Sequence, residues 1–264
     1  MGFDPGRVRL TLSLDGEVVE RAELSCERPV LAKLLRGKPA DQAVALVPLI
    51  YSLCGKAQGI AARAALAAAR GSETAGYVDA EAWGEAAREH AWKLFVDWPR
   101  QLGLTPDEEF FVRLARCLPE QKRELAVAAT AQALPGEIAA HMGRGEIDGL
   151  LAARVAARLT QLLDWLLDRP GTLGRVSATA VAPGIGEARV ETARGELRHR
   201  LELAGDAIAD YRIVAPTDVH FAASGDAVAW LGRLRGLPVA MAQAQAQRLV
   251  MAFDPCVPWE CAFA

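Results

Sequence analysis

Any chemistry in this chain has to start from its thiols. Five cysteines, Cys26, Cys54, Cys117, Cys256 and Cys261, lie at irregular spacing, two of them in the closing stretch FDPCVPWECAFA. Thiolates are soft ligands for iron, nickel, copper or zinc, which makes Cys256 and Cys261 candidate metal ligands. Their separation is not that of a zinc knuckle. An odd number of cysteines makes no disulfide framework, and the five read as thiols of a reducing compartment. Taken singly, Cys26, Cys54 and Cys117 read as small core residues.

Other chemistry-bearing types form no constellation. None of His90, His141, His199 and His220 pairs with another at ligand spacing, so each reads as a surface or satisfied polar residue. Gly184 and Gly186 in GIGEARVE make only a fragment of a dinucleotide fingerprint. No Val/Ile-rich strand precedes them and no third glycine opens a helix, so a loop is expected there. There is no Gly-x-Ser-x-Gly elbow, Walker loop or His-Glu-x-x-His helix.

The elements that must position these thiols are mostly helical. Alternation about Asp15-Gly16 predicts a hairpin over 7–24. Helical periodicity starts near Pro29. A long helix follows Pro39, with Leu46, Ile50, Leu53, Ala57, Ile60, Ala64 and Ala68 on one stripe, Cys54 beside it and a break or kink at Pro48. Further helices are expected at about 79–100, 106–118, 119–134 and 146–168, then short strands over 174–221, then helices near 225–234 and 238–252. The last dozen residues, anchored only by Phe253, Trp259 and Phe263, are expected to be loosely held, with Cys256 and Cys261 able to oxidise to one another. The expected architecture is one α+β domain over 1–264, predominantly α-helical: hairpin, helical core 29–168, small antiparallel β region, and C-terminal helices and tail 225–264.

Composition narrows the class. Of 264 residues 52% are hydrophobic and 24% charged, which places the chain among globular proteins. A net charge of −3 gives no footprint for nucleic acid or an anionic membrane. MGFDPGRVRLTLSL has no apolar stretch of signal-peptide length and no myristoylation pattern, and no run approaches a membrane span, so a cytoplasmic protein is expected.

Four segments, in order, resemble the large subunit of [NiFe] hydrogenases in shortened form. GRVRLTLSLDGEVVERAEL is similar to that family's first hairpin. RPVLAKLLRGKPADQAVALVPLIYSLCGKAQGIAA resembles the approach to its Arg-x-Cys-Gly-x-Cys-x-x-x-His motif. GIGEARVETARGELRHRLELAGDAIADYRIVAPT follows its Glu-Ala-Pro-Arg-Gly-x-Leu-x-His segment and later Pro-Ser/Thr, with Glu191, Gly195, Leu197 and His199 in register. FDPC resembles the closing Asp-Pro-Cys-x-x-Cys.

The departures matter as much as the matches. Cys54 and Gly55 match, but Ser52, Ala57 and Ala61 stand where the family has arginine, the second cysteine and histidine. Cys256 matches, while Trp259 replaces the last cysteine and Cys261 is shifted. Pro5 aligns with the proton-relay glutamate. The resemblance therefore implies no four-thiolate nickel–iron site, no hydrogen turnover and no stable nickel. It implies that Arg194 and Thr217, with Pro216 alongside, donate to cyanides on iron, with Cys54 and Cys256 or Cys261 as sulfur ligands, all converging on one site.

This pattern is similar to hydrogenase assembly proteins of the HupK/HoxV type. The resemblance implies a non-enzymatic scaffold that transiently holds an Fe(CN)2(CO) unit, with a hydrogenase large subunit, HypC-like chaperones and the Hyp machinery as partners. A metal-free docking protein and a degenerate redox subunit are the alternative readings.

Overall fold

Alternating apolar residues in Arg7–Asp15 bury Val8, Leu10 and Leu12 on one face, the pattern of a strand covered on one side. From there the computed structural model, which describes residues 5–264, follows the expected order. The readings that fall on Met1–Asp4 and on the Ser52 side chain lie outside the described residues.

Along the chain the elements are β1 (Arg7–Asp15), β2 (Val18–Glu27), α1 (Ala40–Ile50), α2 (Gly55–Ala69), β3 (Thr74–Val78), α3 (Ala80–Trp92), α4 (Trp98–Gln101), α5 (Glu108–Ala115), α6 (Lys122–Ala131), α7 (Leu134–His141), α8 (Glu146–Leu166), β4 (Arg175–Ala182), β5 (Ile185–Thr192), β6 (Gly195–Ala204), β7 (Ala207–Val214), α9 (Pro216–His220), α10 (Asp226–Ala229), α11 (Val239–Phe253) and β8 (Trp259–Phe263). Helices hold 51% of the chain and strands 25%, so the fold is α+β with helix dominant.

The chain forms two compact units. The first comprises Met1–Pro29, His90–Leu167 and Thr217–Ala264. Its described strands make a sheet in the order β2-β1-β8, with β1 antiparallel to β2 and parallel to β8. The buried face of that sheet packs with Ile147 of α8 and with Ala242, Ala246, Leu249 and Phe253 of α11.

The second unit comprises Val30–Glu89 and Asp168–Pro216. Its sheet runs β3-β4-β5-β6-β7, antiparallel throughout. The Ala-rich face of α2 lies across it, with Ala62, Ala65, Ala68 and Ala69 packed against Ala178, Ala188 and Leu201. Gly186 on β5 makes this approach possible: a Cβ there would stand 2.0 Å from the Ala65 carbonyl oxygen. The GIGEARVE segment is thus a turn at Gly184 leading into a strand, not a loop.

Three further expectations are corrected. The long helix after Pro39 is two helices, parted at Tyr51–Cys54 by a short 3-10 turn rather than at Pro48 itself. Leu46 and Leu53 of the expected stripe are consequently exposed. Thr74–Val78, not expected as a strand, adds an edge to the larger sheet. The closing residues are not a loose tail: Val8 pairs with Trp259, Leu10 with Cys261 and Leu12 with Phe263, which makes the tail an edge strand.

Candidate metal centre

In the second unit, the break between α1 and α2 leaves Cys54 at the N-cap of α2. Its side chain does not cap the helix. Glu85, from α3, does so by accepting from Lys56 N at 2.8 Å and Ala57 N at 3.0 Å, filling two of the open donors of the first turn. Burial raises the Glu85 pKa above the usual carboxylate range, against those two backbone donors. Four residues along α3, Glu89 pairs with the Arg194 guanidinium, whose side chain is only 7% exposed. Side chains four apart on a helix are neighbours, so α3 sets Arg194 one helical turn from the Cys54 end of α2.

A buried polar chain reaches the sulfur from the sheet side. Gln58, one turn into α2, lies with Nε2 3.6 Å from Cys54 Sγ and Oε1 2.9 Å from His199 Nε2. His199 Nδ1 is 2.8 Å from the Tyr211 hydroxyl. Burial pushes His199 down to about 3, so its imidazole is neutral, and burial also raises the Tyr211 phenol.

In the first unit, Thr217 is buried and faces Cys256. Its hydroxyl accepts from Cys256 N at 3.0 Å and donates to Cys256 Sγ at 3.2 Å. Two residues earlier, Asp254 ends α11 in the left-handed conformation at φ 47°, which Asp tolerates better than most residues. Its carboxylate takes Lys93 Nζ and Arg158 Nη2, each at 2.8 Å. Arg158 also meets His90 Nδ1 at 3.0 Å and lies over the Trp98 ring. Lys93 opens a π-helical turn, Lys93–Asp97, and reaches Asp97 at 2.9 Å. Burial works against the Lys93 ammonium, but Asp254 and Asp97 outweigh it and hold its pKa above the usual value. This ion knot fixes the turn that presents Cys256.

Cys26, Cys256 and Cys261 all pack against the apolar cluster of the first unit. Burial, then Asp218, pushes the Cys26 thiol up to about 11, and burial raises Cys261 as well. Both are therefore protonated near neutrality, as core thiols are.

The structure thus places Cys54 and Arg194 in one unit, linked through Glu85 and Glu89 of α3, with Pro216 buried in the same unit, and joins Thr217 to Cys256 within the other. The sequence reading missed Gln58, Glu85, Glu89 and Asp254, whose roles depend on partners remote in the chain. Of four residues that the resemblance sets at hydrogenase motif positions, three pack and one does not. Ala57 and Ala61 are buried against Val176, Val190 and Leu197, Trp259 packs in β8, and Pro5 is exposed. Among the described residues, no three His, Cys, Asp or Glu side chains group as a metal site.

The fold is that of the hydrogenase large subunit. A solved NAD+-reducing [NiFe]-hydrogenase superposes with a TM-score of 0.60 over 92% of this chain and 94% of its own, at 14% identity. The Ni-Fe-Se hydrogenase from Desulfovibrio vulgaris Hildenborough in the reduced state gives 0.57 over 92% and 94%, at 12% identity. Among curated proteins the chain is similar to the hydrogenase expression/formation protein HupK of Azotobacter vinelandii, 27% identical over 97% of this chain and 98% of that protein. It is similar also to HoxV of Cupriavidus necator, 26% identical over 90% and 92%. No protein-family model matches the chain.

Proposed function

We propose that the chain serves hydrogenase maturation as a non-catalytic scaffold that carries the Fe(CN)2(CO) unit toward a hydrogenase large subunit. Its full-length relatives carry expression/formation names, which supports a place in maturation. The observation that carries the finer reading is the contrast between kept and lost cysteine positions. Cys54 and Cys256 each have a donor aimed at sulfur, Gln58 and Thr217, while Ala57 is buried in a core and Trp259 packs within a strand. The residues present suit a cargo that brings its own cyanide and CO ligands and asks the protein for few sulfurs.

In this reading Cys54 and Cys256 are the sulfur ligands, and Cys261, protonated and packed, is in reserve. Arg194, held by Glu89, is the proposed donor toward a cyanide nitrogen, as the resemblance implies. The Thr217 hydroxyl donates to the Cys256 sulfur, so in this reading its part is to orient that sulfur. HypC-like chaperones and the Hyp machinery are the proposed partners, and nickel has no proposed site. No helix among the described residues is long and apolar enough to cross a membrane.

Infrared spectroscopy of protein purified from a host with the maturation machinery tests the reading. CO and cyanide stretching bands with stoichiometric iron and without nickel are expected. Iron-free protein that still binds a hydrogenase large subunit would support the metal-free docking alternative instead, which the exposed Leu49 and Leu53 favour.

A further inference from the structure

Gln58 is a buried amide with both ends committed: Oε1 faces His199 Nε2 at 2.9 Å, and Nε2 faces Cys54 Sγ at 3.6 Å. Cys54 is the N-cap of α2 and Gln58 stands one turn into the helix, and the 3.6 Å contact joins their side chains. His199 on β6 and Tyr211 on β7 meet at 2.8 Å and are buried, which pins the far end of the chain to the sheet. The Gln58 amide has little room to turn away.

We propose that Gln58 is a positioning residue for the Cys54 sulfur, a hydrogen-bond donor locked by His199 and Tyr211 that stabilises Cys54 as a thiolate ligand. The proposal rests on the reading of Cys54 as a sulfur ligand of the iron cargo. A ligating thiolate has no proton and only accepts. Gln58 must then present Nε2–H to sulfur, which leaves Oε1 to accept from His199 Nε2–H and His199 Nδ1 to accept the Tyr211 proton. Every donor in the chain points toward Cys54. Such a bond draws charge off the sulfur and weakens its push onto iron, which suits a carrier that must release its cargo. Neither Gln58 nor its contact with His199 follows from the cysteine positions, so the device is additional to the ligand set.

The test needs one readout with iron and one without. In a chain whose other four cysteines are replaced by alanine, iodoacetamide labels Cys54 alone, and the rate at fixed neutral pH reports how far the sulfur is held as thiolate. Gln58→Met, which keeps length but has no donor, is expected to slow labelling by roughly three- to tenfold, since thiolate fraction falls faster than nucleophilicity rises. Gln58→Glu keeps an acceptor for His199 and serves as the second variant should Gln58→Met fold poorly; it is expected to slow labelling at least as much. In the iron-loaded full chain, Gln58→Met should move the CO band to lower wavenumber, because a more electron-rich iron donates more into CO. Wild-type labelling rates in variants of wild-type thermal stability would overturn the proposal, as would an unmoved CO band. If wild-type protein carries no iron but the variants still slow labelling, the iron reading falls and the donor role of Gln58 stands.

Discussion

Thr217 and Cys256 hold each other through two bonds: the Thr217 hydroxyl receives the Cys256 backbone N–H at 3.0 Å and hands its own proton to the Cys256 sulfur at 3.2 Å. One side chain thus fixes both the backbone and the sulfur of the closing cysteine motif. Thr217→Val keeps the shape, removes the hydroxyl and leaves the Cys256 N–H without that acceptor. A loss of about 1–3 kcal/mol in denaturant unfolding is expected, with Thr217→Ser recovering most of it. Valine and serine variants of equal stability would show that the pair contributes packing only.

Asp254 carries the next prediction. It is buried and holds two cations, the partly buried Lys93 and the buried Arg158, so its removal takes from both the carboxylate they share, while Lys93 keeps Asp97. Breaking a buried ion pair from one side costs about 3–5 kcal/mol. Asp254→Ala is expected to fall in that range, while Lys93→Met should cost less, because Arg158 still neutralises the carboxylate. Urea midpoints of the two variants decide the order, and a reversed order would place the strain on the cations instead.

How much of this is legible in the sequence follows from the range of each interaction. The hairpin and the strands β4, β6 and β7 are local patterns, alternation and turn glycines, and the sequence shows them, whereas β5 reads as a loop around Gly184 and Gly186. The break in the helix after Pro39 reads at Pro48 rather than at Tyr51–Cys54 because the apolar stripe runs on through Tyr51–Cys54 while the backbone does not. Gly55, whose Cβ would sit 3.0 Å from the Pro48 carbonyl oxygen, permits that tight turn and leaves no periodic trace. β3 escapes notice because Thr74–Val78 is an edge strand with little burial and no alternation. β8 does so because its pairing partner, β1, lies at the other end of the chain. The resemblance picks out Cys54, Arg194, Thr217 and Cys256, but not their supporting partners. Glu89 is 105 residues from Arg194 and Gln58 is 141 from His199, distances at which no spacing rule operates.

His199 gives the second unit a pH dependence with a definite sign. Its folded pKa is pushed down to about 3 by burial, against an ordinary value of 6.5. Above 6.5 both folded and unfolded chains hold it neutral and the stability is intact. As pH falls from 6.5 toward 3, the unfolded chain takes up a proton that the folded chain refuses, and stability declines by up to about 1.4 kcal/mol per pH unit. His199→Gln should flatten this slope between pH 7 and 5, where ordinary carboxylates remain ionised. Parallel stability profiles for wild type and variant over that range would mean that His199 does not control it.

Cysteine substitutions separate ligands from core thiols most directly. Low-spin iron with CO and cyanide favours soft thiolate sulfur, which a serine hydroxyl does not replace. Cys54→Ser and Cys256→Ser are each expected to abolish the CO and cyanide bands of the purified protein. Cys26→Ser and Cys117→Ser should leave them in place, since the Cys26 thiol is pushed up to about 11 and is a poor thiolate. Cys261→Ser tests the shifted thiol: its sulfur packs under the sheet and its pKa is raised by burial, so the bands should persist. Arg194→Ala is expected to weaken loading by about 10–100-fold without erasing it, because it removes a donor around the cargo and not a ligand. It also strips Glu89 of its buried partner, so thermal unfolding has to be followed alongside, and Arg194→Lys, which keeps the charge but not the fork, should load at an intermediate level. Unchanged bands in the Cys54→Ser, Cys256→Ser double variant would show that the iron is held by other residues.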